Sequence, residues 1–137
     1  ERMARARDVE AKLLYGVALQ RLGRRVSAQR QFDAAAALAP RAETLVATAV
    51  VRFDKSRPST AFARLGPLSR RFPRAQTVRF HLGLLLLWLA RAQEGAADEG
   101  KSQLERARAL APGSRLGKEA DALLDSLENV SEDSTER

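Results

Sequence analysis

The sequence has no cysteine, and it has only one histidine, one tryptophan, one tyrosine and one methionine among 137 residues. The absence of cysteine excludes disulfides, thiolate metal ligands and cysteine nucleophiles. The single histidine, His81, has no carboxylates at helical spacing around it, so we find no residues that would hold a metal ion or another cofactor. We interpret His81 as a partly buried side chain on a helix face.

The sequence also lacks a long apolar run and the residue sets that support catalysis. Its longest apolar run covers residues 82–90, whereas a membrane-spanning helix needs ~20 apolar residues. Gly95 and Gly100 are too widely spaced, and too close to acids, to form a phosphate-binding loop. The serines fall at predicted caps and turns, which leaves no Ser-His-Asp arrangement. We therefore predict a soluble domain that has no membrane span and is not an enzyme.

Positive charge is in excess, and arginine supplies most of it. The net charge of the chain is +7, although residues 128–137 contain four acids and one base. A basic surface is compatible with nucleic acid, an anionic membrane surface or an acidic protein. The arginines group near predicted helix C-termini, where a cation is favourable beside the helix dipole, and this explains them without a ligand. The two groups are Arg21, Arg24 and Arg25, and Arg70, Arg71 and Arg74.

Apolar residues recur every three or four positions along the chain, and no segment alternates with a period of two. Glycine and proline breaks divide this pattern into seven predicted helices. We place them at residues 3–22, 26–39, 42–53, 58–72, 75–92, 97–110 and 114–127. Residues 128–137 are predicted to form an acidic flexible tail.

Individual residues predict where some helices end and which faces they bury. Gly23 stands where a left-handed C-cap belongs, and Ser114 is predicted to be an N-cap. Pro67 lies inside the fourth helix and predicts a kink or a broken last turn. The stripe of the first helix that we expect to be buried consists of Leu14, Ala18 and Leu22.

Three prolines each close a helix and precede another, at spacings of 33 and 39 residues. A period in the thirties with two helices per unit is typical of helical repeats. Residues 9–40 resemble the tetratricopeptide repeat, whose pattern runs from a Leu-Gly pair through Ala-x3-Phe to a closing proline. The matching residues are Tyr15 and Gly16, then Ala28 and Phe32, then Pro40; Lys12 departs from the pattern, because it takes the tryptophan position.

Two further units agree less closely with the repeat. Residues 43–73 match it at Ala61, Leu65 and Pro73, and residues 76–112 match it at Leu82, Gly83, Leu104, Ala107 and Pro112. Residues 114–127 resemble the single capping helix that ends such arrays. The resemblance implies an all-α, right-handed solenoid of helical hairpins with about seven helices over residues 1–127. The rival interpretation is an unrelated all-helical bundle.

The resemblance also implies where a ligand binds. Tetratricopeptide arrays hold ligands on a concave face that is lined by the first helix of each hairpin. Here the lining residues would include Leu13, Val17, Ala47, Val51, Phe80, His81, Leu84 and Leu87. Members that clamp a peptide carboxylate carry lysine, asparagine or arginine at positions that here are Leu13, Val17, Thr48, Thr77 and His81, so that clamp is missing. We therefore predict a protein-interaction module that binds a partner helix or peptide in an apolar groove.

Alternatives to this function stay open. The lining residues would be core if our register were shifted by one position. A basic surface would bind nucleic acid or an anionic partner, although aromatic residues such as Tyr15 and Trp88 fall mostly on predicted core faces. A self-associating array would cover its apolar face with a second copy. The chain begins at Glu1, which we interpret as a sign of a longer or processed protein, cytoplasmic or tethered, whose compartment the sequence does not indicate.

Overall fold

The computed structural model describes residues 2–54, 56–90 and 93–135, with side chains described up to residue 129. Helices are the only regular secondary structure in these residues. They are α1 (Arg2–Arg21), α2 (Arg25–Leu38), α3 (Ala42–Val51), α4 (Pro58–Arg71), α5 (Gln76–Leu89), α6 (Ala96–Leu110) and α7 (Arg115–Thr135). The prediction of an all-α fold is confirmed. The chain divides into two compact units, Glu1–Leu68 and Ser69–Arg137, with the boundary inside α4.

In the first unit, α1 packs against α2, and α2 packs against α3. The closest approach of the first pair is at Gly16, where an added Cβ would lie 2.8 Å from Cδ1 of Phe32. Glycine is therefore needed here, because any side chain would overlap with the aromatic ring. Phe32 is buried in a cluster with Leu19, Ala28 and Val51. This confirms that Gly16 lies where two helices touch.

In the second unit, α6 packs against both α5 and α7. Two glycines face each other across the first of these contacts. An added Cβ at Gly83 would lie 3.2 Å from the carbonyl oxygen of Gly100, and one at Gly100 would lie 3.2 Å from that of Gly83. The two backbones can therefore approach closely, and Leu87 and Leu104 fill the space beside them. The core of this unit consists of Phe80, Leu104, Ala107, Ala120 and Leu124.

Two predicted caps are confirmed. Gly23 has a φ of 79°, and its N–H donates to the carbonyl of Gln20 at 3.0 Å. The next N–H, of Arg24, donates to the carbonyl of Leu19 at 2.9 Å, which completes a Schellman motif at the end of α1. At the start of α7, the Oγ of Ser114 accepts a hydrogen bond from the N–H of Gly117 at 3.0 Å.

Polar contacts between helix ends hold each unit together. In the first unit, the Arg25 side chain donates to the carbonyls of Val51 at 2.8 Å and Phe53 at 2.6 Å, at the end of α3 where carbonyls have no partner within the helix. In the second unit, the amide nitrogen of Gln76 donates to the carbonyls of Ala107 and Ala111 at 2.8 and 3.0 Å. Its amide oxygen lies 2.7 Å from the Ser114 hydroxyl. Gln76 thus ties the start of α5 to the end of α6 and the start of α7.

Two expectations about helix continuity differ from the structure. The fourth helix runs through Pro67 to Arg71 without the predicted break. One proline removes one hydrogen-bond donor, and the turns on both sides of it still form. The seventh helix continues past Leu127 to Thr135, where we predicted a flexible tail. Residues 128–135 contain no glycine or proline that would end the helix. Residues 136 and 137 of the predicted tail lie outside the described residues.

The prediction for the buried stripe of α1 is wrong. Leu14 and Leu22 are 63% and 73% exposed, and Ala18 is exposed as well. The helix instead buries Val9, Gly16 and Leu19, because Gly16 must face Phe32 and this contact fixes the rotation of α1. Of the aromatic residues that we placed on core faces, Tyr15 and Trp88 are 56% and 45% exposed.

Candidate binding surfaces

The residues predicted to line a concave face fall into two sets, one in each unit. In the first unit, α1 contributes Leu13 and Val17, and α3 contributes Ala47 and Val51. Leu13 and Ala47 are half-buried and pack against the core cluster of this unit, and Val17 is 38% exposed. Val17 follows Leu13 by four residues, so these two side chains lie on one face of α1. Val51 is 3% exposed and belongs to the core cluster itself.

In the second unit, the predicted lining residues all lie on α5. Leu84 and Leu87 are half-buried and pack against the core that α5 forms with α6 and α7. Phe80 is only 5% exposed and is a member of that core. His81 is half-buried beside it, with the two rings edge to face at a centroid distance of 5.3 Å. Phe80 and Val51 therefore offer little surface to a ligand and are not part of the candidate surfaces.

His81 has a defined proton position. Its Nδ1 lies 2.7 Å from the carbonyl oxygen of Thr77, and a carbonyl can only accept, so Nδ1 carries the hydrogen. Burial lowers the pKa of His81 from 6.5, and the hydrogen bond to Thr77 opposes this to a smaller extent. The positive charge of Arg115 lowers the pKa of His81 further, and the negative charge of Glu119 raises it. Both residues lie in the first turns of α7. The side chain therefore presents a neutral imidazole near pH 7.

This lowered pKa predicts a pH-dependent stability. Below pH 6.5 the unfolded chain takes up a proton at His81 that the folded chain resists, so stability is lost as the pH falls through the lower folded pKa. One proton corresponds to a slope of at most about 1.4 kcal/mol per pH unit. Urea denaturation between neutral and mildly acidic pH should show this slope, and the variant His81→Gln should be flatter over the same interval. Equal slopes for the two proteins would contradict the assignment.

A further apolar surface is exposed on α1, next to the surface that contains Val17. Ala11, Leu14, Ala18 and Leu22 follow one another at spacings of three and four, and all four are exposed. We call these four residues the outer stripe. Tyr15 lies next to it on α1, and Val26, which is 64% exposed, follows in the first turn of α2. The periodicity of Leu14, Ala18 and Leu22 is visible in the sequence, but it predicts a core face, and the structure exposes these residues instead.

The arginine groups occupy different environments. Arg25 binds carbonyls within its own unit, as described above, whereas Arg21 and Arg24 are exposed. The guanidinium of Arg71 lies 5.0 Å from the ring centroid of Phe72, a distance typical of a cation–π contact. Among the side chains that the structure describes, ion pairs join Arg52 to Asp33, Arg108 to Asp121, and Arg115 to Glu119. Most of the arginines described there therefore have no acidic partner.

Two further features of the described residues bear on other functions. None of the helices in residues 2–54, 56–90 and 93–135 is long and apolar enough to cross a membrane. Within the same ranges, no three histidine or acidic side chains lie close enough together to share a metal ion.

Comparison with known proteins identifies the fold. No protein-family model matches the sequence. No curated protein matches it either. Among solved structures, the chain is similar to a thermophilic tetratricopeptide-repeat protein from Thermus thermophilus, with a TM-score of 0.68 and 23% sequence identity. The match covers 88% of this chain and 66% of that protein, so the chain spans a little less than two thirds of its length.

Proposed function

Because the chain has the fold of a tetratricopeptide-repeat protein, we propose that it is a non-catalytic module that binds a helix or peptide of another protein. A fold does not fix a function, so the proposal depends on the surfaces of α1, α3 and α5. One observation supports it best. These first helices of the hairpins bury some apolar side chains in their own units, and they also carry other apolar side chains that are partly exposed.

In the first unit, the candidate surface consists of Leu13, Val17 and Ala47. All three are apolar, and no charged residue is among them. Leu13 and Ala47 already contact the core, which holds their positions, and Val17, four residues after Leu13 on α1, is 38% exposed. A fixed, partly open apolar surface loses little conformational entropy on binding, which favours docking of an apolar side chain from a partner.

In the second unit, the candidate surface consists of His81, Leu84 and Leu87. The two leucines are anchored against the core in the same way, and His81 adds one neutral polar group. A peptide that fits would place apolar residues on the leucines and hold a hydrogen-bond donor near the unprotonated Nε2. Such recognition needs neither a charged clamp nor a metal ion.

Selection from a random peptide display library tests the proposal. We expect peptides with apolar residues at helical spacing to be enriched, and the best of them to bind the purified chain. Val17→Glu should weaken this binding, because it places a charge on the apolar surface without disturbing the core. Leu38→Glu is the matched control, since Leu38 is 37% exposed but lies on α2, the second helix of its hairpin. Equal binding by the two variants would contradict the proposal.

The second unit offers a similar comparison. Leu84→Ala should weaken peptide binding, because Leu84 belongs to the candidate surface on α5. Leu110→Ala is the control and should leave binding unchanged, because Leu110 is 40% exposed but lies at the end of α6. The circular dichroism of both variants should match that of the parent chain, which shows that any loss of binding is not a loss of fold.

Nucleic acid is the second candidate ligand, and one observation favours it. Tyr15 is 56% exposed on α1, a helix with five basic and two acidic residues, and single-strand binding typically combines stacking on aromatic rings with basic groups. A salt titration distinguishes the two ligands. Peptide docking on an apolar surface should change little between about 50 and 200 mM salt, whereas binding to phosphates falls steeply. Light scattering distinguishes both from self-association.

A further inference from the structure

A long part of the chain carries positive charge and no negative charge. Residues 55–93 include seven arginines and one lysine, but no aspartate or glutamate. Four of these arginines lie close together where α4 ends and α5 begins, all of them in the second unit. We call this group the basic corner; it consists of Arg70, Arg71, Arg74 and Arg79. Charge of a single sign at this density attracts anions.

The charge of the basic corner has no acidic partner among the side chains that the structure describes. Arg70, Arg71 and Arg74 are exposed, and Arg79 is half-buried. The three ion pairs found between described side chains involve none of these four arginines. The basic corner is therefore accessible to an anion from outside the chain.

Hydrogen bonds hold Arg79 against the turn that follows α4. Its Nε donates to the carbonyl of Pro73 at 3.2 Å, and its Nη1 donates to the amide oxygen of Gln103 at 3.1 Å. Both acceptors are uncharged, so they fix the guanidinium without neutralising it. The amide nitrogen of Gln103 donates in turn to the carboxylate of Glu99 at 3.1 Å, so an amide side chain stands between this acid and Arg79.

The helix dipole explains only part of the basic corner. Arg70 and Arg71 lie in the last turn of α4, where a cation is favourable. Arg74, however, directly precedes Ala75, the N-cap residue of α5, and Arg79 is the fourth residue of that helix. The dipole disfavours a cation at a helix N-terminus, and the first turn of α5 contains no acid that would offset it. Positions that work against a local structural rule are typical of residues with a function.

An aromatic ring in the basic corner indicates which anion it suits. The guanidinium of Arg71 lies 5.0 Å from the ring centroid of Phe72, which is half-buried. Bases of single-stranded nucleic acids stack on aromatic rings and on guanidinium planes. All four basic residues are arginines, whose planar fork binds two phosphate oxygens at once. An acidic protein would be attracted by the charge, but it has no bases to stack on these planes.

A membrane surface fits the basic corner less well. Protein segments that lie on anionic membranes combine basic residues with an exposed apolar face. Residues 69–79 are all described, and none of the large apolar side chains that are strongly exposed lies among them.

We propose that the basic corner binds single-stranded nucleic acid. Phosphates pair with Arg70, Arg74 and Arg79, and one base stacks beside Arg71 and Phe72. These residues differ from those of the proposed peptide surfaces and from Tyr15, so this proposal and the proposed function can fail independently.

Fluorescence anisotropy with a labelled oligonucleotide of about 12 nucleotides tests the proposal. Contact with three or four phosphates predicts that the affinity falls roughly 20- to 50-fold between about 50 and 200 mM salt. Three competitors are added at equal concentrations of negative charge: a polyglutamate peptide, vesicles that contain phosphatidylserine, and the duplex form of the oligonucleotide. Displacement by each should need at least about fivefold more charge than displacement by the unlabelled single strand, because none of them offers open base faces. Equal displacement by any competitor, or no binding of the oligonucleotide, would overturn the proposal.

Two double variants locate the binding. Arg70→Glu combined with Arg74→Glu should weaken oligonucleotide binding at least about tenfold and reduce the slope of the logarithmic salt dependence by about 1.4, because two phosphate contacts are lost. Arg5→Glu combined with Arg7→Glu is the matched control, since it changes the net charge by the same amount at exposed positions on α1. The melting temperatures of both should match that of the parent chain. Equal losses of affinity would show that only the net charge matters and would contradict the proposal.

Two single variants separate stacking from charge and from the peptide surface. Arg71→Lys keeps the charge but removes the plane, so it should weaken oligonucleotide binding at least about threefold and leave displacement by polyglutamate unchanged. An unchanged affinity for the oligonucleotide would refute the stacking contact. Leu84→Ala should not alter oligonucleotide binding, because Leu84 belongs to the peptide surface. A loss of binding with Leu84→Ala would place the nucleic acid there and overturn the proposal.

Discussion

Replacing Leu104 with alanine should lower the free energy of unfolding by about 2–5 kcal/mol. Leu104 is fully buried in the core of the second unit, and two of its carbons lie 3.0 Å from where a Cβ of Gly83 would stand. Truncation leaves a cavity that the close contact between Gly83 and Gly100 cannot fill, because those backbones already touch. Chemical denaturation monitored by circular dichroism measures the loss.

Leu110→Ala is the control for this prediction. It removes the same atoms from the same helix, but Leu110 is 40% exposed and lies in the last turn of α6. We expect its effect to be well below that of Leu104→Ala. Similar losses for the two variants would contradict the position of the core.

Replacing Gly16 with leucine should destabilise the first unit by about 1–3 kcal/mol. The added side chain has no space, because even a Cβ at this position would overlap with the ring of Phe32. The α1 and α2 helices must then separate, or Phe32 must leave its buried position. Denaturation curves of the purified variant measure the effect.

Two further variants serve as a control and as a rescue of this substitution. Gly113→Ala is the control, because a Cβ there meets no atom within 4 Å apart from its chain neighbours, and its φ is not positive. It should leave stability unchanged or raise it by about 0.5–1 kcal/mol. Phe32→Leu added to Gly16→Ala should recover part of the stability lost in Gly16→Ala alone. If Gly16→Leu unfolds at the same denaturant concentration as the parent chain, the contact between Gly16 and Phe32 is wrong.

Local signals in the sequence were sufficient to predict the repeat. Gly16, Ala28, Phe32 and Gly83 stand at fixed positions of a known pattern, and each has a packing reason that the structure bears out. Gly23 and Ser114 were likewise predictable, because the conformation of a helix end depends on residues within one turn of it.

The rotation of α1 could not be predicted from its pattern of apolar residues. The helix has several apolar stripes, with Val9 and Leu19 on one side, Leu13 and Val17 on another, and Leu14 and Leu22 on a third. Periodicity alone does not say which of them faces the core. The decisive residue is Gly16, since its contact with Phe32 turns Leu14 and Leu22 outward. The close contact at a glycine therefore fixes the rotation of the helix more strongly than its leucines do.

The candidate surfaces were predictable only in part. The resemblance to the repeat predicted lining residues on α1, α3 and α5, but it did not separate Val51 and Phe80, which are buried, from Val17, which is exposed. Exposure depends on neighbours that are distant in sequence. For the same reason, the hydrogen bonds of Gln76 to α6 and of Arg25 to the end of α3 had no local signal.

The outward faces of the first and last helices differ in chemistry. The described part of α7 exposes mostly charged and polar residues, among them Lys118, Asp121 and Asp125. By contrast, α1 exposes Leu14 and Leu22.

Methyl-resonance mapping tests the proposed function most directly. The peptide selected from the display library is titrated into the labelled chain, and the shifts of valine and leucine methyl groups are followed. We predict that the largest changes occur at Leu13, Val17, Leu84 and Leu87, on the first helices of the hairpins. Leu38 and Leu110, with 37% and 40% exposure on second helices, should change little. Changes confined to Leu38 and Leu110, with none on α1 or α5, would contradict the account.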